Sequence, residues 1–197
     1  MKALSPSATR VCEAAIGHFA AQGYDASSLN EIALLAGMRK ASLYAHFANK
    51  AALYTAAFER ALATEAAFVE QAFREEAAGK VAPGHWLVLN LGERYQRSQS
   101  LKLVLRTAFL PPADVKDVVT ARFEQHLENI REDFGESLRG RFEWARRDSA
   151  LTDVYADAYL GIMDSLHVEL MYADLQVYTR RAASLLKILD DSLSLNR

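Results

Sequence analysis

The chain has 197 residues, of which 51% are apolar and 24% charged, and its net charge is −2. That much apolar material can bury a core, so global disorder is excluded. One cysteine, Cys12, and five scattered histidines exclude an intramolecular disulfide and a zinc-ligand set.

Prolines and glycines are few, while alanine and leucine dominate, which predicts long helices rather than strands. Ser5-Pro6 reads as a cap and first turn opening a helix to about Gln22, with Val11, Ala15, Ile16 and Phe19 inward. Cys12 lies in that apolar pattern and reads as a small buried hydrophobe. Gly23 ends the helix. Ser28 and Glu31 have the spacing of a capping box, opening a short helix with Leu29, Ile32, Ala33 and Ala36 inward. Gly37 closes that helix, and a second short one is predicted from about Lys40 to Phe47, with Leu43 and Phe47 stacked one turn apart.

A long helix begins near Asn49 and carries Leu53, Ala57, Phe58, Leu62, Phe68 and Phe73 towards Gly79. Ala82-Pro83-Gly84 breaks the pattern, which resumes through Trp86, Leu87, Leu91 and Tyr95 and pauses at 98–100. A helix holding Leu101, Leu105 and Phe109 stops at Pro111-Pro112. Residues 113–147 are helical and highly charged, with Gly135 and Gly140 as the points where an interruption could fall. Thr152 to Met171 and Val177 to Leu193 form the last two helices. The sum is an all-α chain of about nine helices. The domain seam is expected inside the long helix, dividing residues 1–52 from 53–197. No run of about 18 uninterrupted apolar residues offers a membrane span, and residues 1–10 lack a signal-peptide core, so a cytoplasmic protein is expected.

The short pair over residues 28–47 carries the functional argument. Ala33 is small where two helices must cross, Gly37 supplies a tight turn, and Leu43 buries the second helix against the first. This is a helix-turn-helix arrangement, whose second helix enters the DNA major groove. With Leu43 and Phe47 inward, Ala41, Ser42 and Ala45 point outward, and Tyr44 and His46 lie on the flanks. Small outward residues let a helix approach base edges closely, and alanine suits thymine methyl groups. Residues 1–60 carry a net +2 and the remainder −4. No Asp or Glu stands between Glu31 and Glu59, a window that holds Arg39, Lys40, His46 and Lys50. Lys50 and the amides beside it at the next helix start suit a phosphate, as does Ser28 at its own helix start.

These residues carry a family resemblance. Ala14-Ala15-Ile16, the run from Phe19 to Ser28, Ile32-Ala33, Ala36-Gly37 and Ser42-Leu43-Tyr44-Ala45-His46-Phe47 with Lys50 make residues 9–62 similar to the DNA-binding domain of the tetracycline-repressor (TetR) family. The resemblance implies an all-helical, dimeric regulator that represses transcription until a small molecule binds. It implies DNA contacts at Ser28, Lys40, Ser42, Tyr44, His46 and Lys50. Two positions depart: Arg39 stands where a small or capping residue is usual, and Ala41 where glycine is common. The resemblance also implies that the last two helices pair with their copies in a four-helix bundle. Small Ala158 and Gly161, with Met163, Leu166, Leu170, Leu185, Leu186 and Leu189, are the residues available for it.

A small-molecule site needs an apolar cavity with a few polar groups. Candidates are Trp86, Tyr95, Arg106, Phe109, Phe123, His126, Tyr159, Met163 and His167, each also suited to ordinary core. A histidine in an apolar stripe needs a partner, which singles out His126 and His167. No nucleophile elbow, phosphate-binding loop, metal set or redox pair points to an enzyme or a cofactor. The remaining alternatives are an activator of the same family and a helical interaction module without DNA.

Overall fold

The computed structural model describes residues 4–79 and 81–196. Among them are ten α-helices, one 3-10 turn and no strand. The helices are α1 (Pro6–Ala26), α2 (Leu29–Leu35), α3 (Lys40–Tyr44), α4 (Lys50–Ala77), α5 (His85–Arg97), α6 (Gln99–Phe109), α7 (Lys116–Arg141), α8 (Glu143–Arg147), α9 (Ser149–Tyr172) and α10 (Leu175–Ser194). The 3-10 turn covers Ala113–Val115.

Local chemistry explains most boundaries. Side chains of Ser5, Ser98, Asp148 and Asp174 accept the orphan amides of Ala8, Leu101, Leu151 and Val177, which starts α1, α6, α9 and α10. Gly23 takes φ 78° and ψ 177°, so α1 is kinked there rather than ended, and its last turn runs to Ala26. The α5 amides are met from another helix: the buried Glu76 accepts from Gly84 N (2.8 Å) and Trp86 N (2.9 Å). Burial pushes the Glu76 carboxyl up, and those amide bonds pull it back.

Three further expectations are corrected. Gly135 and Gly140 do not interrupt α7, which runs through both to Arg141. Glycine costs only about 1 kcal/mol in a helix, and here buried Phe134 and Leu138 outweigh it. The capping box at Ser28 does not form: the Ser28 side chain makes no cap bond, its amide donates to His18 Nε2 (3.4 Å), and Glu31 turns to His18 (3.4 Å). Third, α3 ends at Tyr44, and the next residues form a turn closed by His46 N to Leu43 O (2.9 Å).

The chain divides into two compact units. One comprises residues up to 65 together with 98–124, and the other 66–97 with 125–196. In the first, Val11, Ala15 and Phe19 of α1, Ile32 and Ala33 of α2, Leu43 of α3 and Leu53, Ala57 and Phe58 of α4 share one core. Leu103 and Val104 of α6 belong to that same core. In the second, Tyr159 stacks on Phe134 (4.1 Å, 6°) and donates to Gly84 O (2.9 Å), while Tyr178 donates to Val88 O (2.5 Å). Leu166, Leu170, Leu186 and Leu189 are buried in that unit's interior. Cys12 is fully buried, and its thiol is pushed up to about 11 by burial, consistent with a packing role.

Candidate nucleic-acid interface

Residues 28–47 form two short helices joined by a turn in which Gly37 takes φ +69°. Met38 N reaches back to Ala33 O (3.0 Å), and Arg39 O accepts from Ser42 N (2.9 Å), so the turn hands directly into α3. Ala33 and Leu43 are buried between the helices, and Phe47 is buried beyond α3. Everything expected to face outward does so. Arg39, Lys40, Ala41, Ser42, Ala45 and His46 are exposed, and Tyr44 is 46% exposed. The Tyr44 ring has Lys40 Nζ 6.0 Å from its centre. From 32 to 58 the sequence holds no carboxylate. The face is therefore small-sided in the middle and cationic at its edges, which suits a groove between two phosphate backbones.

Ser28 is half-buried, with its hydroxyl free of the helix cap. Lys50, the first residue of α4, is also half-buried. Its Nζ donates to Asp25 O at 3.0 Å and lies 4.8 Å above the centre of the Tyr24 ring. This anchoring is invisible in the sequence, where Tyr24 and Asp25 lie 25 or so positions from Lys50.

The nine effector candidates are divided between the two units. Arg106, Phe109 and Phe123 belong to the first unit. The Arg106 guanidinium donates to Ala20 O (3.4 Å) and would meet a Cβ at Gly23, Phe109 is 37% exposed, and Phe123 packs against the first core. Trp86, Tyr95, His126, Tyr159, Met163 and His167 belong to the second. Trp86 is half-buried with its ring 5.4 Å from Phe68, and Tyr95 is half-buried. His126, Tyr159, Met163 and His167 are buried. His167 is 5% exposed, and its Nδ1 has no hydrogen-bond partner among the described residues. Burial pushes both histidines down to about 4, with His126 adding to the effect on His167, so both are neutral at neutral pH.

Open clefts lie elsewhere in that unit. One of about 440 Å³ is lined by Phe73, Ala77 and several carboxylates, among them Asp133, which burial and then Glu70 and Glu132 push up. A second, of about 690 Å³, is lined by Arg141, Phe142, Trp144, Arg147 and Asn196 among others. There Phe142 stacks on Trp144 (5.7 Å, 25°), whose Nε1 is buried without a partner. Arg141 donates to Val81 O (2.7 Å), and Arg147 pairs with Glu143.

The α9 surface also carries Val154, Ser165, Val168 and Tyr172, which the sequence pattern did not single out, beside two residues that it did. Val154, Ala158, Gly161, Ser165, Val168 and Tyr172 recur at alternating spacings of four and three, and all but the half-buried Ser165 are exposed. Of the sequence candidates for subunit pairing, Ala158 and Gly161 lie on this stripe. Met163, Leu166, Leu170, Leu186 and Leu189 are interior instead, and Leu185 is half-buried. Because α9 is apolar on two faces, periodicity alone could not say which face is inner.

An exposed helix-turn-helix ridge on an all-helical chain defines a DNA-binding regulator. More narrowly, residues 11–57 match the family of bacterial regulatory proteins, tetR family. Solved structures share its fold over nearly the whole length. A TetR-family transcriptional regulator from Cytophaga hutchinsonii is 14% identical, covering 96% of this chain and 98% of its own, with a TM-score of 0.70. FadR from Bacillus subtilis, in complex with stearoyl-CoA, is 17% identical over 92% and 96%, with a TM-score of 0.63. AibR, in complex with isovaleryl coenzyme A and operator DNA, is 18% identical over 92% and 97%, with a TM-score of 0.59. No curated protein sequence matches the chain. Among the described residues no helix is long and apolar enough to cross a membrane.

Proposed function

We propose that this protein is a ligand-responsive transcriptional repressor that binds a pseudo-palindromic operator as a homodimer. One observation carries the reading: the outer face of α3 is exposed, small-sided and without carboxylates, with Arg39, Lys40 and Lys50 at its edges. In a major groove, Ala41 and Ala45 meet thymine methyls, and Ser42 meets a base edge or phosphate. Tyr44, His46, Ser28, Arg39, Lys40 and Lys50 then meet the backbone.

The α9 stripe supports the dimer, since a row of exposed Val and Tyr side chains around small Ala158 and Gly161 fits a second copy of itself. Two-fold pairing of the subunits implies an inverted-repeat site on the DNA. FadR and AibR are similar in fold and hold acyl-coenzyme A thioesters. In this chain, two arginines beside a stacked Phe142–Trp144 pair suit phosphates and a purine. Acyl-CoA thioesters are therefore the first effector class to test. His126, Tyr159, Met163 and His167 are the candidates for its apolar part, with Trp86 and Tyr95 nearer the surface. Such a regulator acts in the cytoplasm and catalyses nothing.

The test is selection of bound duplexes from a random-sequence pool by the full-length protein. Enrichment of an inverted repeat is expected. A reporter with that repeat across its promoter is expected to fall when the protein is present and recover when acyl-CoA levels rise. No enriched sequence, with the protein passing unretained through heparin, overturns the DNA-binding reading.

A further inference from the structure

We infer that Tyr24, held by Asp114, is a positioning residue for the Lys50 phosphate contact; this rests on the DNA-binding reading above. A lysine side chain has large rotamer entropy, much of which is lost when its ammonium is pinned to a phosphate. In this protein the ammonium is already pinned. The α1 helix has no basic residue in its own last turn, so its C-terminal carbonyls lack a cation, and Lys50 supplies one from α4. Asp25 O takes one N–H at 3.0 Å, while the Tyr24 ring face attracts the charge at 4.8 Å. An ammonium has three donors, so two remain for a phosphate.

The half-buried Tyr24 ring is itself held by three contacts. It meets Tyr54 edge-on at 5.1 Å and 88°, and stacks near Phe19 at 6.4 Å. Its hydroxyl donates to Asp114 Oδ2 at 2.9 Å, in the 3-10 turn that follows α6. Tyr54 in turn shares a 2.7 Å hydrogen bond with Thr107 of α6. Two contacts from α6 and the turn after it thus set the ring on which Lys50 rests. All of these residues lie within one compact unit. Asp114 lies 64 positions beyond Lys50 and shares no motif with it, so only the fold brings them into one chain of contacts.

The test uses full-length protein and a random-sequence 30-base-pair duplex, whose binding is almost wholly phosphate-driven. Affinity is measured by fluorescence anisotropy across a salt titration, with thermal melts to confirm folding. Lys50→Ala is expected to weaken binding about tenfold and to lower the salt slope by about 0.9 for each phosphate that the protein no longer neutralises. Tyr24→Phe keeps the ring and loses only the Asp114 bond, and Asp114→Ala loses the same bond from the other side. Each is expected to weaken binding about threefold in the parent protein and not at all in the Lys50→Ala background. Equal losses in both backgrounds, or none in the parent, overturn the inference while leaving Lys50 as a phosphate contact. An unchanged affinity and salt slope for Lys50→Ala overturns the phosphate assignment itself, and the inference with it.

Discussion

Gly84 shows how tightly single positions are specified. It sits at φ +78°, where an L side chain is disfavoured by roughly 1–2 kcal/mol. A Cβ there would also lie 2.5 Å from the Tyr159 ring and 3.0 Å from Phe134. Those two rings are stacked on each other, so neither can retreat without disturbing the other. Overpacking of this kind costs a further 1–3 kcal/mol or so. Gly84→Ala is therefore expected to destabilise the protein by about 3 kcal/mol, read as a lower midpoint in urea unfolding. At Gly37, by contrast, a Cβ meets nothing within 4 Å, and only the backbone penalty applies. The buried histidines make a second prediction at this scale. Folded, His126 and His167 titrate at about 4, while an unfolded histidine titrates near 6.5. Above pH 6.5 both states are neutral and folding is unaffected. As pH falls from 6.5 towards 4, the unfolded chain takes up protons that the fold refuses. Stability is then lost at up to about 1.4 kcal/mol per pH unit for each histidine. The unfolding midpoint is expected to be flat above 6.5 and to fall below it, with His167→Leu roughly halving the slope. A profile that stays level down to pH 4 would contradict the burial of the pair.

The α3 ridge is where an element, rather than a residue, carries function. Its outermost side chains, Ala41, Ser42 and Ala45, are exposed, so changing Ser42 tests DNA binding with little effect on the core. Ser42→Glu is a suitable probe because an acid in the first turn of a helix is favourable to the helix itself. Stability is expected to change by less than about 0.5 kcal/mol. Binding to any duplex is expected to fall more than tenfold, since a carboxylate would face bases and phosphates in a gel-shift titration. This element was legible in the sequence because two periodic signals and a glycine agreed: Ile32 with Ala33, Leu43 with Phe47, and Gly37 between them. Its ends were less legible. The Ser28–Glu31 spacing predicts a capping box, yet His18 from α1 takes the Ser28 amide, a partner that no local pattern reveals. The second unit was the least legible. A helix such as α9 has apolar side chains nearly all round, so His167, buried, and Val168, exposed, are neighbours in sequence with opposite fates. Polar pairings such as Glu76 with the α5 amides depend on which helices meet, which spacing does not encode.

For the whole molecule the question is what a second subunit adds. A single five-residue α3 reads few bases, and its phosphate contacts favour every DNA sequence alike. Two copies joined through α9, as proposed, would make the second half-site encounter intramolecular, which raises avidity by roughly 10²–10⁴ without any new contact. On the proposed pairing, specificity for one operator thus depends on the α9 stripe as well as on α3. Gly161 offers a clean way to test this. A Cβ there meets nothing within 4 Å of its own chain, and replacing a helical glycine removes a penalty of about 1 kcal/mol. Gly161→Glu is therefore expected to leave the isolated subunit as stable as before, or slightly more so. In a self-paired stripe, however, the same change places like charges close together at the seam, where small residues let the backbones approach. The expected outcome is a folded monomer by light scattering and circular dichroism, with a melting temperature that no longer depends on protein concentration. Affinity for the selected inverted repeat is expected to fall at least a hundredfold, with weak binding to random DNA largely kept. A Gly161→Glu protein that remains dimeric and holds the repeat tightly would place the subunit interface elsewhere on the molecule.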